Sequence, residues 1–155
     1  METREVDMAI ARQIEDGYRR IGESIETLTR PETWEMPADD FVRWKLDLLW
    51  RLRDFQTLLL KQFDLEEEGG FIQDVVRLAP QYAARVETLQ EEHHKVVADL
   101  NHVLNVLKDI RAPSPARTRR LRERFTDVIT LFERHESAEN RLLQDVYFQD
   151  YGSGD

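Results

Sequence analysis

Residues 131 to 139 read Leu131-Phe132-Glu133-Arg134-His135-Glu136-Ser137-Ala138-Glu139. Around this stretch Leu121, Phe125, Val128, Phe132, Leu142 and Val146 recur at helical spacing and predict one amphipathic helix. His135 follows Phe132 by three and Val128 by seven, so it lies on the buried stripe. Glu139 is one turn further on the same face. An imidazole and a carboxylate inside an apolar stripe either pair with each other or hold something between them.

Three more stripes precede this one. Ile10, Ile14, Gly17, Ile21, Ile25 and Leu28 form the first. Phe41, Leu48, Leu52, Phe55 and Leu59 form the second, and Tyr82, Val86, Leu89, Val96, Leu100 and Leu107 the third. The five prolines fall only at Pro31 and Pro37, at Pro80, and at Pro113 and Pro115. Proline breaks helix interiors and is tolerated in loops and first turns. Four helices follow, over roughly 2–30, 39–79, 80–111 and 115–150. Gly69-Gly70 either ends the second or kinks it. No segment alternates as a strand does. The expectation is one all-α domain over 1–155, an antiparallel up-down-up-down four-helix bundle.

Other stripes also carry polar groups. His93 lies between Leu89 and Val96 on the third, and Gln62 and Glu66 extend the second beyond Leu59. In an antiparallel pair, residues equidistant from the turn stand level. Glu66 and His93 are equidistant from the Ala79-Pro80 break, and His93 and His135 from Ser114. Glu66, His93 and His135 are thus expected to meet at one level, provided the second helix runs on through Gly69-Gly70, with Glu139 one turn beyond His135. Unpartnered buried carboxylates and imidazoles cost several kcal/mol. A cation turns that cost into ligation, and helical bundles build iron, manganese and zinc sites from this donor set.

Composition narrows the classes. The 155 residues carry a net charge of -9, which repels phosphates and argues against nucleic acid as partner. The absence of cysteine excludes disulfides, thiolate metal sites and thiol nucleophiles. No apolar run approaches a membrane span, and the acidic start Met1-Glu2-Thr3-Arg4-Glu5 is unlike a signal peptide, so a cytoplasmic protein is expected.

At the polar positions the sequence resembles the hemerythrin-like (HHE cation-binding) family. The likeness is carried by residues 131–139, by Glu91-Glu92-His93, and by Gln62-Phe63-Asp64-Leu65-Glu66-Glu67-Glu68-Gly69-Gly70. The last is similar to the family's H-F-x-x-E-E-E segment, with Gln62 in place of histidine. The resemblance implies a bundle around non-haem iron, one or two ions, with O2 or peroxide as the small-molecule partner. It implies metal ligation by Glu66, His93, His135 and Glu139. The family usually supplies a first-helix histidine, and none is present here. Turn arithmetic about the 30–39 linker puts the metal level near residues 4 to 8. Asp7 is then the nearest candidate ligand, ahead of Glu5 and Gln13, and Gln62 offers a neutral amide oxygen. Zinc and manganese are the alternative metals. Three functions stand open: a metal or oxygen sensor or carrier, a di-iron oxidase or peroxidase, and a scaffold without metal.

The remaining signals read as structural. His94 and His102 fall off the stripe and are expected at the surface. Trp34, Trp44 and Trp50 are expected to pack at the first loop end, and Gly17 and Gly22 to mark close helix contacts. Arg117, Arg119, Arg120, Arg122 and Arg124 form a solvated helix start.

Overall fold

The computed structural model describes the backbone of residues 2–37, 39–68 and 71–146, and their side chains apart from 2–8, 10, 11, 68 and 71. Regular structure among the described residues is entirely helical. The helices are α1 (Glu2–Leu28), α2 (Phe41–Glu68), α3 (Phe71–Leu78), α4 (Ala83–Asp109) and α5 (Pro115–Gln144). Single 3-10 turns occur at Pro31–Trp34 and Pro80–Tyr82. The four long helices correspond to the four expected segments. The expected second segment comprises two helices, α2 and α3, on either side of Gly69-Gly70, which lie outside the described residues.

The helix ends follow from local chemistry. Pro115 opens α5, where its missing N–H is not needed, and the Ser114 hydroxyl accepts from the Arg117 N–H at 3.3 Å. At the end of α4, Lys45 Nζ donates to the carbonyls of Lys108 and Ile110 at 2.7 Å each. This satisfies acceptors that the helix itself leaves free and ties α2 to α4.

Two apolar cores result. The larger joins Ile21 and Leu28 of α1, Leu52, Phe55, Leu59 and Phe63 of α2, Val96 to Leu107 of α4, and Leu121 to Phe132 of α5. Phe55 and Phe125 meet edge to face at 5.9 Å, and both are fully buried. Burial of this kind contributes about 1.5–3 kcal/mol per large side chain. The smaller core joins Ile72, Val75 and Ala79 to Val86, Leu89, Leu142 and Val146. Along α4 the change from one core to the other falls between Val96 and Leu89, and along α5 between Phe132 and Leu142. Glu66, His93, His135 and Glu139 occupy the interval, and all four are buried.

The linker after α1 corrects the turn arithmetic. It is no symmetric turn. Thr33 Oγ1 donates to Thr27 O, Trp34 Nε1 to Leu28 O, and Trp44 Nε1 to Thr33 O, so the chain folds back over the end of α1 before α2 begins. The register shifts accordingly. Gln13, Asp16, Gly17 and Arg20 of α1 line one shallow groove with Leu58, Lys61, Gln62 and Leu65 of α2. The segment Ile14–Tyr18, rather than residues 4 to 8, therefore stands level with Gln62 and Glu66.

Two smaller expectations also change. Trp34 is buried and Trp44 half-buried, but Trp50 is 63% exposed, beside the exposed Val42 and Leu46. Gly17 is a close contact with Gln62, whereas nothing lies within 4 Å of a Cβ placed on Gly22. His94 and His102 are exposed, as are Arg117, Arg119, Arg120 and Arg124.

Candidate metal centre

Each long helix brings one or more groups to the interval between the cores. Glu66 ends the apolar stripe of α2, His93 interrupts that of α4, and His135 and Glu139 sit one turn apart on α5. One ligand-type atom from each of the four lies within 4.8 Å of those from the other three. That separation is close to the span of donors around a single ion, each at about 2.0–2.2 Å from it.

The donor atoms face one another without being hydrogen-bonded. His93 Nε2 stands 3.2 Å from Glu66 Oε2, and His135 Nε2 stands 3.2 Å from Glu139 Oε2. Neither pair is aligned as donor and acceptor. Glu66 Oε2, His93 Nε2 and both ring nitrogens of His135 are buried with no hydrogen-bond partner. Orphaned polar atoms of this kind are rare, because each carries its full desolvation cost. Two imidazole nitrogens and two carboxylates converging on one point are a donor set able to hold a divalent transition metal.

Supporting groups fix the ring orientations. The His93 ring stacks on Phe63 at 3.9 Å, and His135 meets the same Phe63 edge-on at 5.9 Å. His93 Nδ1 lies 2.8 Å from Glu67 Oε1, so Nδ1 carries the proton and Nε2 is the free donor. Glu92 Oε1 faces His135 Nδ1 at 3.7 Å, too long for a hydrogen bond but on the same side of the site. A carboxylate behind each metal-facing imidazole is the arrangement that raises ligand basicity.

The α1 contribution is Tyr18. Its hydroxyl donates to Glu66 Oε1 at 2.5 Å and also lies 3.1 Å from Glu139 Oε2. Gln62 is buried alongside, but its amide is turned towards α1. Nε2 donates to Ile14 O at 2.9 Å and sits 3.5 Å from Glu66 Oε1, while Oε1 faces Gly17. Gln62 thus braces the α1–α2 contact and does not present its oxygen to the cluster. Asp7 lies on α1, with its side chain outside those described; Gln13 is exposed on the groove.

Electrostatics reflects the crowding. Burial, reinforced by the Glu66 charge, pushes the Glu139 carboxyl up to about 9. Burial and the same two carboxylates hold the Tyr18 phenol far above its ordinary range. Burial pulls His93 down, but Glu66 and Glu67 outweigh it and leave its pKa raised. Burial and the neighbouring His93 lower that of His135. The cluster holds more potential charge than a dry interior tolerates without a counter-ion.

The sequence reading brought together Glu66, His93, His135 and Glu139, and missed Tyr18, Phe63, Glu67 and Glu92. Tyr18 had a signal: it stands four after Ile14 and three before Ile21, on the same stripe. Glu67 and Glu92, each next in sequence to a cluster residue, lay inside the quoted motif segments, but no spacing singled them out. No family model, curated protein or solved structure matches the chain. The hemerythrin-like resemblance therefore rests on the motif residues alone.

Proposed function

We propose that this chain is a metal-binding protein of hemerythrin-like, up-down-up-down arrangement, holding one divalent transition-metal ion between its helices. The supporting observation is the convergence within 4.8 Å of four buried donor groups, with Glu66 Oε2, His93 Nε2 and the His135 nitrogens unpaired. Glu66, His93, His135 and Glu139 are the ligands in this reading. The topology is supported by contacts that climb α2 as they descend α4, from Lys45 with Lys108 to Glu67 with His93. The α4–α5 contacts do the same, from His102 with Arg124 to Arg85 with Asp145.

Iron is the metal we assign, on the motif resemblance and on a mixed nitrogen–oxygen donor set that suits it, zinc and manganese alike. When bound, iron supplies a centre able to take up O2 or peroxide. The chain's own part is to orient the donors, balance charge with two carboxylates and keep the surroundings apolar through Phe63 and Phe132. A sensing or carrying role is the reading we favour over turnover: the acids nearest the four ligands, Glu67 and Glu92, face the Nδ1 atoms of His93 and His135. The test is elemental analysis of untagged protein purified without added metal. One equivalent of iron supports the reading. A metal-free protein whose folding is indifferent to added iron, zinc and manganese overturns it.

A further inference from the structure

Tyr18 is the one described side chain of α1 that reaches the cluster. It is neither histidine nor carboxylate, whereas α2, α4 and α5 supply the four candidate ligands. Its single hydroxyl lies between two helices' worth of donors, 2.5 Å from Glu66 Oε1 and 3.1 Å from Glu139 Oε2. A carboxylate can bind metal through one oxygen, chelate through both, or bridge two ions. On Glu139 the phenol approaches Oε2, the oxygen that also faces His135 Nε2, but on Glu66 it takes Oε1 and leaves the opposite oxygen as the freer donor. For Glu66 that oxygen is Oε2, the atom facing His93 Nε2 with no hydrogen-bond partner. The Tyr18 ring, 6.5 Å from Phe132, also covers the cluster on the α1 side.

We propose that Tyr18 is a positioning residue that holds Glu66 to one metal-facing oxygen, Oε2. The site is thereby kept to a single ion with few protein ligands. This rests on the metal-binding reading above. The consequence is selectivity. Four donors, two of them nitrogen, favour ions content with low coordination number, such as zinc and cobalt, over manganese, which takes more oxygen ligands.

Tyr18→Phe removes only the hydroxyl and keeps the ring against Phe132, so the fold is expected to survive, as far-ultraviolet dichroism will check. Cobalt(II), zinc(II) and manganese(II) are titrated into wild type and variant. Wild type is expected to bind one equivalent of cobalt with the intense visible absorption of a low-coordinate ion. In Tyr18→Phe the Glu66 carboxylate is free to chelate. The band is expected to weaken several-fold, and the preference for zinc over manganese to fall several-fold. An unchanged band and ratio, or equal weakening of both metals as general destabilisation would give, overturns the proposal. So does an intense visible phenolate band in the iron(III)-loaded wild type that the variant lacks, since Tyr18 would then be a ligand. If wild type binds neither these three metals nor iron, the metal-binding reading fails and this one with it.

Discussion

Gly17 and Gln62 meet so closely that a Cβ on Gly17 would stand 1.9 Å from Gln62 Oε1 and 2.9 Å from its Cδ. Gln62 cannot simply swing away, because it is buried and its Nε2 is held by the Ile14 carbonyl. The glycine is therefore a seat for the amide, and through it α1 is set against α2 beside the cluster.

Gly17→Ala tests that seat. Alanine gains about 1 kcal/mol of helix propensity. Displacing a buried amide from its partners costs about 1–3 kcal/mol. A net loss of about 1 kcal/mol is expected, measured by denaturant unfolding. Adding Gln62→Ala should recover part of it, with a coupling of at least about 0.5 kcal/mol. Additive losses would show that the two residues do not share the contact.

His135→Leu separates a metal centre from an ordinary core pair. Both His135 ring nitrogens are buried without a hydrogen-bond partner. In metal-free protein, replacing them with an apolar side chain is expected to raise stability by about 1–3 kcal/mol. In the same variant metal binding should be lost. A destabilised metal-free variant would show that His135 is satisfied in the native core.

Metal removal gives the complementary measurement. At a free metal concentration 100 times its Kd, a ligand specific for the native state adds about 2.7 kcal/mol. Chelator is thus expected to lower the Tm of wild type clearly. In His135→Ala the melts with and without chelator should coincide. Equal chelator sensitivity in both proteins points to metal held elsewhere.

The pH dependence follows from Glu139, whose carboxyl burial and Glu66 push up to about 9. The unfolded chain releases that proton near the ordinary value of about 4.3. In metal-free protein the stability from this group is therefore full below about 4.3 and is lost as pH rises through about 9. A metal ion must displace the same proton. Affinity is expected to climb towards about pH 9, with proton release on binding. Calorimetric titration in buffers of differing ionisation enthalpy measures that release. Proton-neutral binding at pH 7 would mean that Glu139 is already ionised.

The helices were legible because proline and apolar spacing are local signals. The level of Glu66, His93 and His135 was legible too, because the links at Ala79-Pro80 and Ser114 are short enough for symmetric turn geometry to hold. The α1 register was not. It depends on Thr33 and Trp34 folding the linker back onto Thr27 and Leu28, tertiary hydrogen bonds that no periodicity announces. Asp7 was named and Tyr18 overlooked for that reason. The place of Gln62 on the stripe was readable too, but the direction of its amide depends on the gap at Gly17.

The polar interval between the two apolar cores has a dynamic consequence. Residues of α3 and the neighbouring ends of α4 and α5 belong to the smaller core, which adjoins the larger one across Glu66, His93, His135 and Glu139. Without an ion that layer contributes repulsion and unmet desolvation, so it is the natural place for the molecule to part into two cooperative units. Amide hydrogens around Ile72, Val75, Val86 and Leu142 should then exchange at a lower opening free energy than those around Leu52, Leu100 and Phe125. Binding of a single ion would fuse the two classes into one, so that metal content is read out as breathing at one end of the protein.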